Sequence, residues 1–148
     1  MLEVKDLSIY FTDRGKREDA VRHVSFSMKA GEILGIVGES GSGKTLTALT
    51  IAGLLKKNAI VESGEILLKK TSLLELNTRQ WQQIQGKQIG MIFQEPMTAL
   101  NPVYTIGKQI TEAIHMHRQV SKKEAMAQAL ELLNQVGIPD APKRLKQY

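Results

Sequence analysis

The sequence predicts an α/β fold in which antiparallel N-terminal strands precede a parallel core sheet, followed by a helical part. Three observations carry this expectation. Residues 2–11 alternate apolar and polar well enough for a strand. Ile33–Val37 is a short, unbroken apolar run, the pattern of a strand buried on both faces as in parallel sheets. From Ile106 onward the apolar spacing becomes helical.

Length and composition are consistent with such a domain. The chain has 148 residues, 42% of them hydrophobic, enough for a packed core. It has no cysteine, which excludes a disulfide framework and a thiolate metal site and fits a reducing compartment. The start, MLEVKDLSIYF, lacks the basic-then-apolar layout of a secretory signal, and no apolar run approaches the ~18 residues needed to cross a bilayer, so a cytoplasmic chain with no membrane span is expected. The net charge of +5 is spread over Lys56-Lys57, Lys69-Lys70, Lys122-Lys123 and a terminal group of Lys143, Arg144 and Lys146. This reads as a solvated surface, with no nucleic-acid partner expected.

Taken in order, Leu2–Phe11 is a strand, Thr12–Asp19 a polar hairpin loop and Ala20–Met28 a second strand. Lys29–Glu32 is a turn leading into the buried strand Ile33–Val37. After a Gly-rich loop, Thr45–Leu55 has helical length and spacing, and Lys56-Lys57 suits the negative end of its dipole. Glu65–Lys69 is a strand, Asn77–Gln85 a short polar helix around Trp81, and Gln88–Phe93 a further strand. Ile106, Ile110, Ala113, Ile114 and His117 share one face of the next helix. Ser121 and Glu124 have capping-box spacing ahead of the last helix, which Gly137 and Pro139 stop.

The Gly-rich loop is GESGSGKT, comprising Gly38, Glu39, Ser40, Gly41, Ser42, Gly43, Lys44 and Thr45. It matches G-x-x-x-x-G-K-[ST] and sits where that pattern must, after an apolar run and opening a helix. A random chain of this size would carry the pattern roughly once in a few hundred cases, so chance is a weak rival. Glycines let the loop backbone curl so that successive N–H groups face one centre, and the helix start adds partial positive charge, which together suit a polyphosphate. Lys44 is placed to reach the β- and γ-phosphates. The Thr45 hydroxyl is a candidate ligand for Mg²⁺, a hard cation that prefers oxygen. A P-loop of this kind implies a nucleotide but leaves the enzyme class open.

The flanking residues narrow it. KAGEILGIV before the loop, and IFQEPMTALNP about fifty residues later, resemble the ATP-binding subunits of ABC transporters, and more narrowly the oligopeptide, dipeptide and nickel importer group. In that group the second stretch typically reads FQDPMTSLNP. The resemblance extends over the whole chain; Glu95 stands where Asp is usual, Ala99 where Ser is usual, and Thr45 where Ser is common. It implies a P-loop NTPase of the ABC ATPase type, with residues 1–102 as a nucleotide-binding core and 103–148 as the beginning of a helical subdomain. It also implies ATP and Mg²⁺ as cofactors. Lys44 and Gln94 are then the catalytic candidates, Gln94 as the Q-loop glutamine that approaches Mg²⁺ and the attacking water and links the nucleotide to the membrane subunits. Phe11 falls where the family places an aromatic that stacks on adenine, with Tyr10 as the fallback.

Other constellations lead elsewhere. His115 and His117 are two apart on a helix and point to different faces, and His23 has no partner in sequence, so all three read as structural or surface residues. The methionines read as packing or interface residues, with Met97 the one expected at a protein contact. The resemblance further implies transmembrane permease subunits and a second ATP-binding subunit as partners, on the cytoplasmic side of the membrane. The family's signature motif, its Asp-Glu strand and its switch histidine would follow Tyr148. Two functions are therefore expected to compete: an ATP hydrolase subunit, truncated here and inactive as this chain alone, and a non-hydrolysing nucleotide-binding module that docks on the same membrane partner.

Overall fold

The computed structural model describes residues 1–94 and 99–148. Within them the chain forms two compact units, Met1–Ile89 and Gly90–Tyr148.

The first unit is built on a four-stranded sheet in the order β2-β1-β3-β4, antiparallel throughout. β1 is Leu2–Asp13, β2 is Lys16–Met28, β3 is Ala59–Leu68 and β4 is Thr71–Ser72. The loop expected over residues 12–19 is in fact a two-residue turn, Arg14-Gly15. Both residues have positive φ, 46° and 80°, as a twist-compatible hairpin turn requires. Thr12 and Asp13 stay in the ladder opposite Arg17 and Lys16. Their polarity marks an exposed ladder, which a sequence pattern does not distinguish from a loop. β3 likewise starts six residues earlier than expected, because Glu62, Ser63 and Gly64 interrupt the apolar alternation without leaving the strand.

Helix α1, Lys44–Ile51, follows the Gly-rich loop, and α2, Thr78–Ile84, is held by a reciprocal capping box between Asn77 and Gln80. Val4, Leu7 and Ile9 of β1, Val21 of β2, Ile66 of β3, Leu46 of α1, Leu73 and Ile84 form one buried cluster, so α1 is anchored to the sheet directly behind its own N-terminus. The uneven 4, 7, 9 spacing reflects a bulge. Asp6 takes a φ of 49° and its N–H donates to Ser25 Oγ at 2.8 Å, while the His23 N–H donates to Ser8 Oγ at 3.1 Å.

Two expected strands are not formed. Ile33–Val37 and Gln88–Phe93 are in no ladder; Ile89 makes only an isolated bridge to Gln85. The parallel part of the expected sheet is therefore absent among the described residues. An apolar run becomes a strand only beside a partner, and no described strand lies along either run. Ile33 is fully exposed and Val37 is 93% exposed as a result.

The second unit holds α3 (Ile106–His117), α4 (Lys122–Gln135) and α5 (Ala141–Arg144). The expected Ser121–Glu124 capping box is present at the start of α4, and Thr105 caps α3. Ala125 and Ala129, one turn apart, are buried on the inner face of α4. The short α5, which the sequence pattern did not suggest, begins with Pro142 in its first turn, where a missing N–H costs nothing. Beyond it the carbonyls of Leu145 and Gln147 accept from the N–H groups of Gly107 and Ile106 at 2.9 and 2.8 Å, closing the unit on the start of α3.

Candidate nucleotide-binding site

The Gly-rich loop leads straight into α1. The first intrahelical bond runs from Thr47 N–H to the Gly43 carbonyl at 2.8 Å, so the N–H groups of Lys44, Thr45 and Leu46 lie ahead of it, at the positive end of the helix. Gly43 caps the helix with a φ of 86° and no side chain. A Cβ there would lie 2.6 Å from the Ala20 carbonyl oxygen and 2.8 Å from Val21 Cγ2, so the loop rests on the backbone of β2. The glycine is required by both its conformation and this close approach.

Lys44 is half-buried, and its ammonium donates to the carbonyls of Gly38 at 2.8 Å and Glu39 at 2.6 Å and to Ser42 Oγ at 3.3 Å. These three acceptors hold the charge over the loop rather than away in solvent. Thr45 is exposed at the helix start. Phe11 and Ala20, from β1 and β2, complete a concavity of about 210 Å³ whose other walls are Gly41, Ser42, Gly43, Lys44, Thr45 and Leu46.

The structure therefore brings Phe11 together with the phosphate-type loop, residues separated by thirty positions in sequence. It separates Phe11 from Tyr10, which lies on the other face of β1 under the Arg17 guanidinium, 4.3 Å from the ring centroid. Ala20 is a lining residue that sequence reasoning missed; its signal was its place on the strand paired with the end of β1. Gln94 is exposed in the second unit, as are Leu100 and Pro102. Met97 lies outside the described residues.

The donor set fits a nucleoside triphosphate with Mg²⁺: backbone N–H groups and an ammonium for phosphate, a hydroxyl for the cation and an aromatic wall for a base. Among the described residues no three His, Asp or Glu side chains converge to hold a metal by themselves. His23 instead pairs with Asp6, Nδ1 to Oδ1 at 2.8 Å, on the exposed bulge. No helix of the described residues is long and apolar enough to cross a membrane. In the second unit an open groove of about 620 Å³ between α3 and α4 is lined by Tyr104, Lys108, Glu112, His115 and Met126, among others.

Comparison with known proteins accords with this geometry. The family model described as ABC transporter matches residues 21–148. The chain belongs to the ABC transporter family. Over its full length it is 49% identical to the dipeptide transport ATP-binding protein DppD of Lactococcus lactis subsp. cremoris, covering 43% of that protein. It is 47% identical to the oligopeptide transport ATP-binding protein OppD of Bacillus subtilis, covering 42% of it, and 46% identical to the glutathione import ATP-binding protein GsiA of Salmonella choleraesuis, covering 25%. The chain thus spans less than half the length of these curated relatives. Among solved structures, a dimeric post-hydrolysis state of the ATP-binding cassette MJ0796 bound to ADP and Pi superposes with a TM-score of 0.82 at 24% identity, over 99% of this chain and 61% of that one. This likeness establishes the expected α/β fold of the ABC ATPase type, even though the parallel ladder is not formed within the described residues.

Proposed function

We propose that the chain is the nucleotide-binding part of an ATP-binding subunit that couples MgATP binding and hydrolysis to the import of peptides through separate permease subunits. The concavity that unites Phe11 with Gly41–Thr45 carries this reading. Phe11 stacks on adenine; the loop N–H groups and Lys44 hold the β- and γ-phosphates; the Thr45 hydroxyl supplies an oxygen to Mg²⁺, and Gln94 keeps the Q-loop role that the sequence resemblance gives it. Gln94 suits a relay to the membrane subunits because its amide can bind the cation or a water and release it without a change of charge. Leu100 and Pro102, both exposed, fit an apolar contact with a permease helix.

The three relatives above are named for dipeptide, oligopeptide and glutathione transport, which supports a peptide cargo. Nickel, left open by the sequence resemblance, has no support from them. A second ATP-binding subunit as partner is supported by the dimeric structural neighbour. The subunit would then work on the cytoplasmic face of the membrane, held there by its partners.

Turnover needs more than the cradle. The 148 residues contain no signature motif and no Asp-Glu pair after an apolar strand, so this chain by itself binds MgATP and does not hydrolyse it at a useful rate. Equilibrium binding of labelled ATP to the wild type and to Lys44→Ala tests the first half, and phosphate release tests the second. Binding unchanged by Lys44→Ala defeats the site assignment; hydrolysis that disappears in Lys44→Ala defeats the inactivity.

A further inference from the structure

We infer that Arg17 is a positioning residue for the nucleotide base, locking three strands together on the far side of the sheet so that Phe11 is held at the wall of the phosphate-loop concavity. The inference rests on the nucleotide reading above and adds a residue to it.

Arg17 lies on β2, across the hairpin from Thr12 and one residue from the partner of Phe11, Glu18. Its guanidinium spans β1 to reach β3, where the two terminal nitrogens bond the two Glu62 carboxylate oxygens at 2.6 and 2.5 Å. The Nε of the same group donates to Asp19 Oδ1 at 2.7 Å. Beneath it lies the Tyr10 ring. One side chain therefore ties β2, β1 and β3 at the level of Tyr10, with a fork-to-fork pair that only arginine can make. The bonded Arg17 holds the Glu62 and Asp19 carboxyls below their ordinary range, through hydrogen bonding first in both cases.

Phe11 is the next residue along β1 and projects from the opposite face. Its neighbours in the ladder are Glu18 on β2 and Ala59 on β3, so its height and tilt follow how the three strands are set at this level. The loop takes its position elsewhere, from Gly43 resting on Ala20 and Val21. Loosening the strand ends past Tyr10 would then tilt the aromatic wall while leaving the phosphate cradle in place. The two halves of the nucleotide are thus supported by separate devices, and Arg17 belongs to the base half.

The test compares binding of MgATP with binding of magnesium tripolyphosphate, which has no base. In the wild type ATP is expected to bind roughly 5- to 150-fold tighter than tripolyphosphate, the range that aromatic stacking supplies. Arg17→Ala lowers that ratio about threefold, consistent with an exposed ion pair, while leaving tripolyphosphate affinity unchanged. Arg17→Lys is intermediate, and Glu62→Gln, a milder change, lowers the ratio in the same direction. In a Phe11→Ala background, where the ratio approaches one, adding Arg17→Ala changes nothing further, since the two act through one contact. An unchanged ratio in both Arg17→Ala and Glu62→Gln, or an equal loss of both ligands, overturns the inference while leaving the site reading intact. A ratio indifferent to Phe11→Ala removes Phe11 from the base site, and overturns that part of the site reading together with the inference. Failure of the wild type to bind either ligand, or equal binding by Lys44→Ala, overturns the site reading and the inference with it.

Discussion

Lys44 Nζ donates to the carbonyl oxygen of Gly38 at 2.8 Å, so the charged end of the loop is folded back over its beginning. A phosphate reaching the loop competes with this carbonyl and that of Glu39 for the ammonium, and it wins because it brings a full opposite charge where the carbonyls offer only dipoles. Lys44→Ala should weaken MgATP binding by about ten- to a hundredfold, the loss of a hydrogen bond to a charged group worth ~1.5–3 kcal/mol. The freed carbonyls are exposed and can turn to water, so the thermal midpoint should stay within a few degrees. Titration calorimetry and thermal unfolding on the same variant check both halves.

The seat of the loop on β2 gives a second expectation. Gly43→Ala places a methyl 2.6 Å from the Ala20 carbonyl oxygen and demands a left-handed backbone from alanine. Strained backbone of this sort costs roughly 1–3 kcal/mol before any clash is relieved. Relief requires the loop to lift from β2, which opens the concavity between Phe11 and the cradle. Gly43→Ala should therefore lower the unfolding midpoint and weaken nucleotide binding together, whereas Gly15→Ala, with nothing near its Cβ, should lower stability alone. Chemical denaturation with parallel binding measurements separates the two.

These two positions also mark the limit of what a sequence discloses here. The loop was legible because its function lies in local order: glycines, a lysine and a helix start must be consecutive. The capping box at Ser121 and Glu124 was legible for the same reason. The hairpin was not, since Thr12–Asp19 reads as a loop until Arg17 is seen to bond across the sheet to Glu62. Phe11 was legible as a candidate only by resemblance; its neighbour Tyr10 was chemically equal until the alternation of β1 put the two rings on opposite faces. The pairing of the parallel strands was not legible, because Ile33–Val37 has the composition of a buried strand, and composition says nothing about whether a partner strand is beside it among the described residues.

The cap of α4 predicts an acid limit. The Ser121 hydroxyl accepts from the Glu124 N–H at 3.2 Å, and the Ser121 N–H donates to the Glu124 carboxylate at 2.8 Å. Bonding with Ser121, side chain first and backbone second, holds the Glu124 carboxyl below its ordinary value of 4.5. The folded group thus has the lower pKa, the unfolded chain binds the proton more readily, and stability rises with pH through this window. The contribution is complete above about pH 4.5 and is lost as pH falls through the folded value. Amide-exchange protection at the start of α4, taken relative to the intrinsic rate at each pH, should fall on acidification below pH 4.5 in the wild type and be less pH-sensitive in Ser121→Ala, which should itself destabilise the helix by about 1 kcal/mol.

The run Ile33–Val37 leads to the final prediction. Ile33 is fully exposed and Val37 93% exposed, with Leu34 and Ile36 each more than two-fifths exposed, and the backbone there is in no ladder. An apolar segment with an unpaired backbone is a template for any strand that can lie against it. Whatever covers it, the polypeptide of these 148 residues studied alone should associate through this segment. Sedimentation should show a concentration-dependent shift to dimers and larger species. Ile33→Lys with Val37→Lys should shift the distribution toward monomer, because two buried charges in a new ladder are costly while both are tolerated in water. Tryptophan emission from Trp81, which packs against the buried cluster of the first unit, should be the same in both proteins if that unit keeps its fold. A monomeric wild type with cooperative unfolding would show instead that the run finds a partner strand within its own chain.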